Sequence, residues 1–175
     1  MRYLLSLILI ALFVDATCAE EKKAPPKAEA KSGRPEEAQK LLVEALQLEN
    51  DIQTAREKNL GGEVQRMARL IVENYEKVLK LCPADGEILV SYGAHLYNDG
   101  QYEQALAQYE KAVEAFGKAK DNAQLAQALY FKASTQYSLK KYDEALKTAS
   151  AALAVQPDHE EAKELKKSCE EHTKK

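Results

Sequence analysis

Tyr102-Glu103-Gln104-Ala105-Leu106 is answered further along the chain by Tyr142-Asp143-Glu144-Ala145-Leu146, and Ala112-Val113 by Ala152-Leu153. Each copy is a tyrosine, an alanine three residues on, and a second alanine seven beyond that. One such match is noise, but two in the same order are the mark of an array of short helical hairpins. A single hairpin of this kind cannot bury its apolar stripe, so it stacks on its neighbours and presents a curved surface to other chains. The doubled block therefore predicts a binding module rather than an enzyme.

Working outward, the chain has 175 residues, ordinary apolar content, no Trp, few Gly and Pro, and a net charge of −3. Abundant Ala, Leu, Glu, Lys and Gln favour helix. Interleaved acids and bases read as a solvated helical surface. The slight negative charge argues against nucleic acid, which demands a basic stripe.

The first 19 residues read as a signal peptide. Met1-Arg2 is a minimal positive start, Tyr3 to Val14 an apolar run, and Thr17-Cys18-Ala19 a small-residue cleavage site before Glu20. The run is shorter than the ~20 residues a bilayer span needs, so no membrane insertion is expected after cleavage. Residues 20–34, rich in Lys, Ala, Pro and Glu, read as a disordered tether. Export is thus expected. The lack of an Asn-x-Ser/Thr sequon favours a bacterial periplasm over a secreted or luminal setting. Cleavage leaves Cys82 and Cys169, expected as two free thiols because the array holds them too far apart to bridge.

From Pro35 at a helix start, Ala38, Leu41, Ala45, Leu48, Ile52 and Ala55 form a seam that predicts a helix over 36–58. It reads first as a helix docking on its neighbour and second as a self-association surface. Asn59-Leu60-Gly61-Gly62 predicts a break, with a second helix from about Glu63 to Leu81. Asp85 is placed to cap a helix carrying Ile88, Leu89, Tyr92, Leu96 and Tyr97, and Gly100 to end it in the left-handed conformation. Tyr102 to Phe116 resumes the 3.6 period, and Gly117 to Asn122 reads as a polar connector. Asp121 with Gln124, and Asp158 with Glu161, read as capping boxes for two further helices.

These residues resemble the tetratricopeptide repeat family. Its pattern is met by Leu89, Tyr92-Gly93, Tyr97, Gly100, Tyr102, Ala105, Tyr109 and Ala112. It is met again by Leu129, Ala133, Tyr137, Tyr142, Ala145, Ala152 and Pro157. A degenerate earlier copy shows Ile71, Tyr75, Val78 and Pro83. Tyr75 to Tyr109 is 34 positions, while Tyr102 to Tyr142 is 40. The second good copy departs by lacking the helix-A glycine and by turning through Lys140-Lys141.

The resemblance implies an all-α fold, a right-handed solenoid of antiparallel hairpins. Repeats are expected over about 36–85 (degenerate), 86–119 and 124–158, with a capping helix over 159–173, the whole domain running 35–175. Small residues at Gly93, Ala105, Ala133 and Ala145 should let paired helices approach with no side chain between them.

In the family the inner face of helix A lines a protein-binding groove. Position by position, that implies Glu87, Val90, Ser91, Ala94, Tyr97 and Asn98 from one repeat. The next supplies Gln127, Tyr130, Phe131, Ser134, Tyr137 and Ser138. Tyr97, Tyr130, Phe131 and Tyr137 would form an aromatic strip for an extended peptide or a partner helix. Members that grip a C-terminal carboxylate do so with Lys, Asn and Arg on helix A. Here Val90, Ala94, Gln127, Phe131 and Ser134 stand instead, so that clamp is absent.

No phosphate-cradling glycine loop, nucleophile elbow or zinc-binding helix motif occurs in the sequence. His95, His159 and His172 are isolated along the chain. The expectation is no catalytic residue, no metal and no cofactor. The protein or peptide partner is bound noncovalently, in assembly of a cell-envelope complex. A weak homo-oligomer through the 36–58 helix is the alternative.

Overall fold

The computed structural model describes residues 33–173. Among them run seven α-helices and no strand: α1 (Glu36–Glu57), α2 (Gly61–Leu81), α3 (Gly86–Asn98), α4 (Tyr102–Ala119), α5 (Asn122–Ser138), α6 (Tyr142–Val155) and α7 (Glu160–Thr173). The fold class is all-α, built of helix hairpins as expected. The chain divides into two compact units, Met1–Pro83 and Ala84–Lys175. The signal peptide and residues 20–32 of the tether lie outside the described residues. Arg34, assigned above to the tether, is buried, and its carbonyl accepts a bond of 2.7 Å from the Gln39 amide.

In the first unit α1 packs along α2. Ala38, Ala45 and Ile52, spaced by two turns, are buried with Ala55 on one face of α1; Ile71, Asn74, Tyr75 and Val78 are buried on α2. The seam thus serves as a docking face for a neighbouring helix. The Tyr75 hydroxyl donates to Glu49 Oε1 across the pair at 3.2 Å.

The second unit stacks α3 on α4, α4 on α5, α5 on α6 and α6 on α7 in sequence. Its antiparallel pairing is visible in two contacts. A Cβ at Gly86 would lie 2.7 Å from the Phe116 ring, and one at Gly93 would lie 2.8 Å from the Tyr109 ring. Positions rise on α3 as they fall on α4, each glycine seating a ring two helical turns from the next. The expected side-chain-free crossing at Gly93 is therefore corrected: the absent Cβ makes room for Tyr109. The second hairpin has alanines at both equivalent sites, Ala133 and Ala149, each fully buried.

All three hairpins turn in one way. After α1, α3 and α5 a residue takes positive φ: Asn59 (56°), Gly100 (78°) and Lys140 (60°). The next amide then reaches back to close the helix end, Leu60 to Ala55 O, Gln101 to Leu96 O and Lys141 to Gln136 O, at 2.8–2.9 Å. This is the Schellman pattern, which satisfies carbonyls the helix leaves unpaired. Its recurrence makes α1–α2 a hairpin of the same design as the later two.

Several boundaries move from the sequence reading. Gly61 and Gly62 open α2 instead of lying in the break, which is carried by Lys58–Leu60 with Asn59 as its left-handed residue. Pro35 sits one position outside α1, where its carbonyl accepts from the Gln39 amide. The connector at 117–122 is largely helix. α4 runs 18 residues where α6 runs 14, and α5 runs 17 where α3 runs 13. The longer spacing is therefore absorbed as about one added turn at each helix end rather than as loop, at a geometry of 3.6 residues per turn.

Asp85 and Asp121 cap as expected, accepting from Ile88 N at 3.2 Å and Gln124 N at 3.1 Å. Asp158 does not. α7 begins at Glu160 and its first bond, from Lys163 N, goes to His159 O, so His159 holds the cap position. Cys82 is also not free. It is disulfide-bonded, while Cys169 is free and buried.

Candidate functional site

The expected groove residues lie on α3 and α5 of the second unit. Glu87, Val90, Ser91, Ala94 and Tyr97 on α3 are half-buried and Asn98 is exposed; Gln127, Tyr130, Phe131, Ser134, Tyr137 and Ser138 on α5 are all half-buried. At intermediate exposure these side chains touch neighbours on one side and remain reachable on the other.

The rings have distinct jobs. Phe131 stacks on Tyr109 of α4, with centroids 5.5 Å apart and planes 21° off parallel, so part of it belongs to the core. Tyr130 leans on Phe131 at 5.4 Å and on His159 at 5.3 Å. Tyr97 packs edge-on against Tyr102 at 5.1 Å, and Tyr137 repeats this against Tyr142 at 5.2 Å. The doubled tyrosine that opens helix B is thus the platform for a tyrosine that closes helix A.

A second repeated contact ties the A helices together. The Ser138 hydroxyl donates to Ser134 O at 3.1 Å, so the Tyr97 hydroxyl, 2.9 Å away, donates to Ser138 Oγ. One repeat on, His172 Nδ1 lies 2.9 Å from Ser168 O and 3.4 Å from the Tyr137 hydroxyl. A carbonyl only accepts, so that nitrogen carries the proton. His172 therefore takes the place beside Tyr137 that Ser138 takes beside Tyr97, though with the bond reversed, since its Nδ1–H can only donate toward the Tyr137 hydroxyl; each leans on the carbonyl four residues before it. The last helix is in register as a third helix A. Its buried pair Ala162 and Cys169 follows Ala128 and Thr135 on α5 at the same interval.

α7 is the expected capping helix; what sequence reading missed is its register, and with it Glu161, Glu164, Leu165 and Ser168, which fall in step with Gln127, Tyr130, Phe131 and Ser134. Few of the family's motif residues occur on α7. The available signal was the 34-residue step itself, applied once more from Ala128 to Ala162. The histidines are likewise less isolated than their sequence spacing implies. His172 stacks on Tyr142 at 4.5 Å, and buried His159 places Nδ1 3.2 Å from Glu161 Oε2. His95 is buried on the packed side of α3, as expected of a structural ring.

Chemically the site is poor in reactive groups. Burial, reinforced by the Glu170 charge, pushes the Cys169 thiol up from its ordinary range, which makes it less nucleophilic. Among the described residues no group of three or more His, Cys, Asp or Glu is arranged to hold a metal, and no helix is long and apolar enough to cross a membrane. Of the twelve expected groove residues only Glu87 is charged. The nearby cation Lys132 lies 3.2 Å from Glu110 of α4.

The profile of the Tetratricopeptide repeat family matches residues 85–158. No curated protein matches. Among solved structures, the chain is similar to the N-terminal domain of stress-induced protein-1 from C. elegans. That match has a TM-score of 0.57 at 16% identity and covers 78% of this chain and 98% of that one. It is similar to the first such domain of Spaghetti bound to the HSP90 peptide SRMEEVD, with a TM-score of 0.55 at 16% identity over 75% and 94% of the two chains. A third is the second such domain of human RPAP3 in complex with the HSP70 peptide SGPTIEEVD, with a TM-score of 0.52 at 13% identity over 74% and 98%. At these identities the likeness is one of fold.

Proposed function

Residues 85–158 belong to the tetratricopeptide repeat family, and from that premise we propose that the chain is a non-enzymatic scaffold whose A helices hold a protein segment. One observation carries the reading. α3, α5 and α7 are joined by a repeated side-chain contact beside a row of hydroxyls, rings and small residues that is mostly half-buried on α3 and α5 and more exposed on α7. Such a wall gives shape and hydrogen bonding without a nucleophile, which is the equipment of recognition. Structural neighbours solved with bound peptides support the same use of the fold. The signal-like start at Met1 to Ala19 supports export, and the partner is then a protein of the cell envelope or of a periplasmic, secreted or luminal space.

Tyr97 and Tyr137 are bonded within the fold, so removing them tests stability and binding together. Ala94 and Ser134 are the cleaner probes. A photocrosslinking residue at either position should capture a partner in the native host, whereas the same residue at exposed Lys111 on α4 or Lys147 on α6 should not. Ala94→Arg with Ser134→Arg should abolish capture while leaving the helical signal intact. Equal capture from α4 or α6 would overturn the reading. A second reading, weak self-association through α1, draws on Val43, an apolar side chain 67% exposed on that helix. Sedimentation of Val43→Glu beside the parent chain decides it: an unchanged mass distribution removes that reading.

A further inference from the structure

We infer that the occupant of this groove is a basic segment, carrying Lys or Arg and held along its length, rather than an acidic chain end. The inference rests on the groove reading above and gives it a chemistry. Extending the wall onto α7 adds charges of one sign. The first position of the series holds Glu87, Gln127 and Glu161, and the next on α7 is Glu164, where α3 and α5 carry Val90 and Tyr130. No Lys or Arg occurs among the twelve residues on α3 and α5 or at Glu161, Glu164, Leu165 and Ser168 of α7.

Geometry locates the acidic end. Glu161 lies 3.2 Å from His159 Nδ1, and the His159 ring lies 5.3 Å from Tyr130, so a carboxylate lies close to the Tyr130–Phe131 ring pair of the wall. A cation there meets both a carboxylate and a ring, two attractions that reinforce each other. An acidic segment meets repulsion from these carboxylates, and its terminal carboxylate finds no guanidinium or ammonium among these wall positions, the adjacent Lys132 being engaged with Glu110. The hydroxyls of Ser91, Ser134 and Ser168 leave the backbone of either kind of segment equally served, so charge decides.

The test uses fluorescence anisotropy on the full chain, with two end-capped peptide probes of about seven residues. One alternates lysine with leucine and serine, and the other has glutamate in place of each lysine. The basic probe should bind at least 10-fold more tightly at low salt, and the preference should shrink as salt rises. Glu87→Gln with Glu161→Gln and Glu164→Gln should reduce it to within about 2-fold, without loss of thermal stability. Binding of both probes with equal affinity, or an unchanged preference in the triple variant, overturns the charge assignment and leaves the groove reading standing. Binding that Ala94→Arg with Ser134→Arg fails to weaken overturns the groove reading itself, as does no binding of either probe. Loss of probe binding in step with self-association would give the groove to a second copy and equally overturn the inference.

Discussion

At Gly93 the absence of one carbon sets the spacing of two helices. A Cβ there would lie 2.8 Å from the Tyr109 ring, closer than ring and methyl can pack. Gly93→Ala is therefore expected to destabilise the second unit by ~1–3 kcal/mol through overpacking, read as a lower melting temperature. The opposite sign is expected at Lys140, where an L-residue with a side chain is held at φ 60°. Lys140→Gly relieves that conformation and should stabilise by ~0.5–1 kcal/mol, whereas Gly100→Ala, at φ 78°, should destabilise by ~1 kcal/mol. Chemical denaturation of the pair measures both. Gly93 and Gly100 could be singled out from the sequence because their residue type betrays their backbone. Lys140 could be noted only as a departure, since lysine gives no hint of a positive φ.

At the scale of elements, the helices are longer than the motif spacing implies. Gly117 lies inside α4, and a Cβ added there meets nothing within 4 Å. Gly117→Ala should thus stabilise by ~0.5–1 kcal/mol by lowering the entropy of the unfolded chain, detectable as a rise in denaturation midpoint. The α1–α2 hairpin carries a pH dependence of its own. Burial pushes the Glu49 carboxyl up to about 7, only partly opposed by the hydrogen bond from Tyr75. Between about 4.5 and 7 the folded hairpin keeps a proton that the unfolded chain has released. Its stability is greatest below that window and falls as pH rises through it, by ~1–3 kcal/mol in total. Glu49→Gln should flatten the curve between pH 5 and 8; an equally steep fall in the variant would show that another group is responsible. In sequence Glu49 is one of many surface-like glutamates. Only the hairpin brings it under Tyr75, 26 residues away.

For the molecule as a whole, periodicity in the sequence was enough to find the hairpins, while the α3 and α5 residues of the wall follow from the family resemblance. Tyr102 and Tyr142 announce the repeat because their rings are structurally required against Tyr97 and Tyr137. α7 caps the array as expected, but its helix-A register leaves little trace in the sequence because the repeat's own aromatic and glycine positions are polar there. The contact of His172 with Tyr137 is what restores it. The central claim is that α3, α5 and α7 form one recognition surface for a protein segment. An amide chemical-shift titration of the full chain with the lysine-bearing probe tests it most directly. The account predicts perturbations concentrated at Val90, Ala94, Ser134 and Ser168, on three helices at once. Perturbations confined to the outer faces of α4 and α6, or a spectrum that does not change at saturating probe, would contradict it.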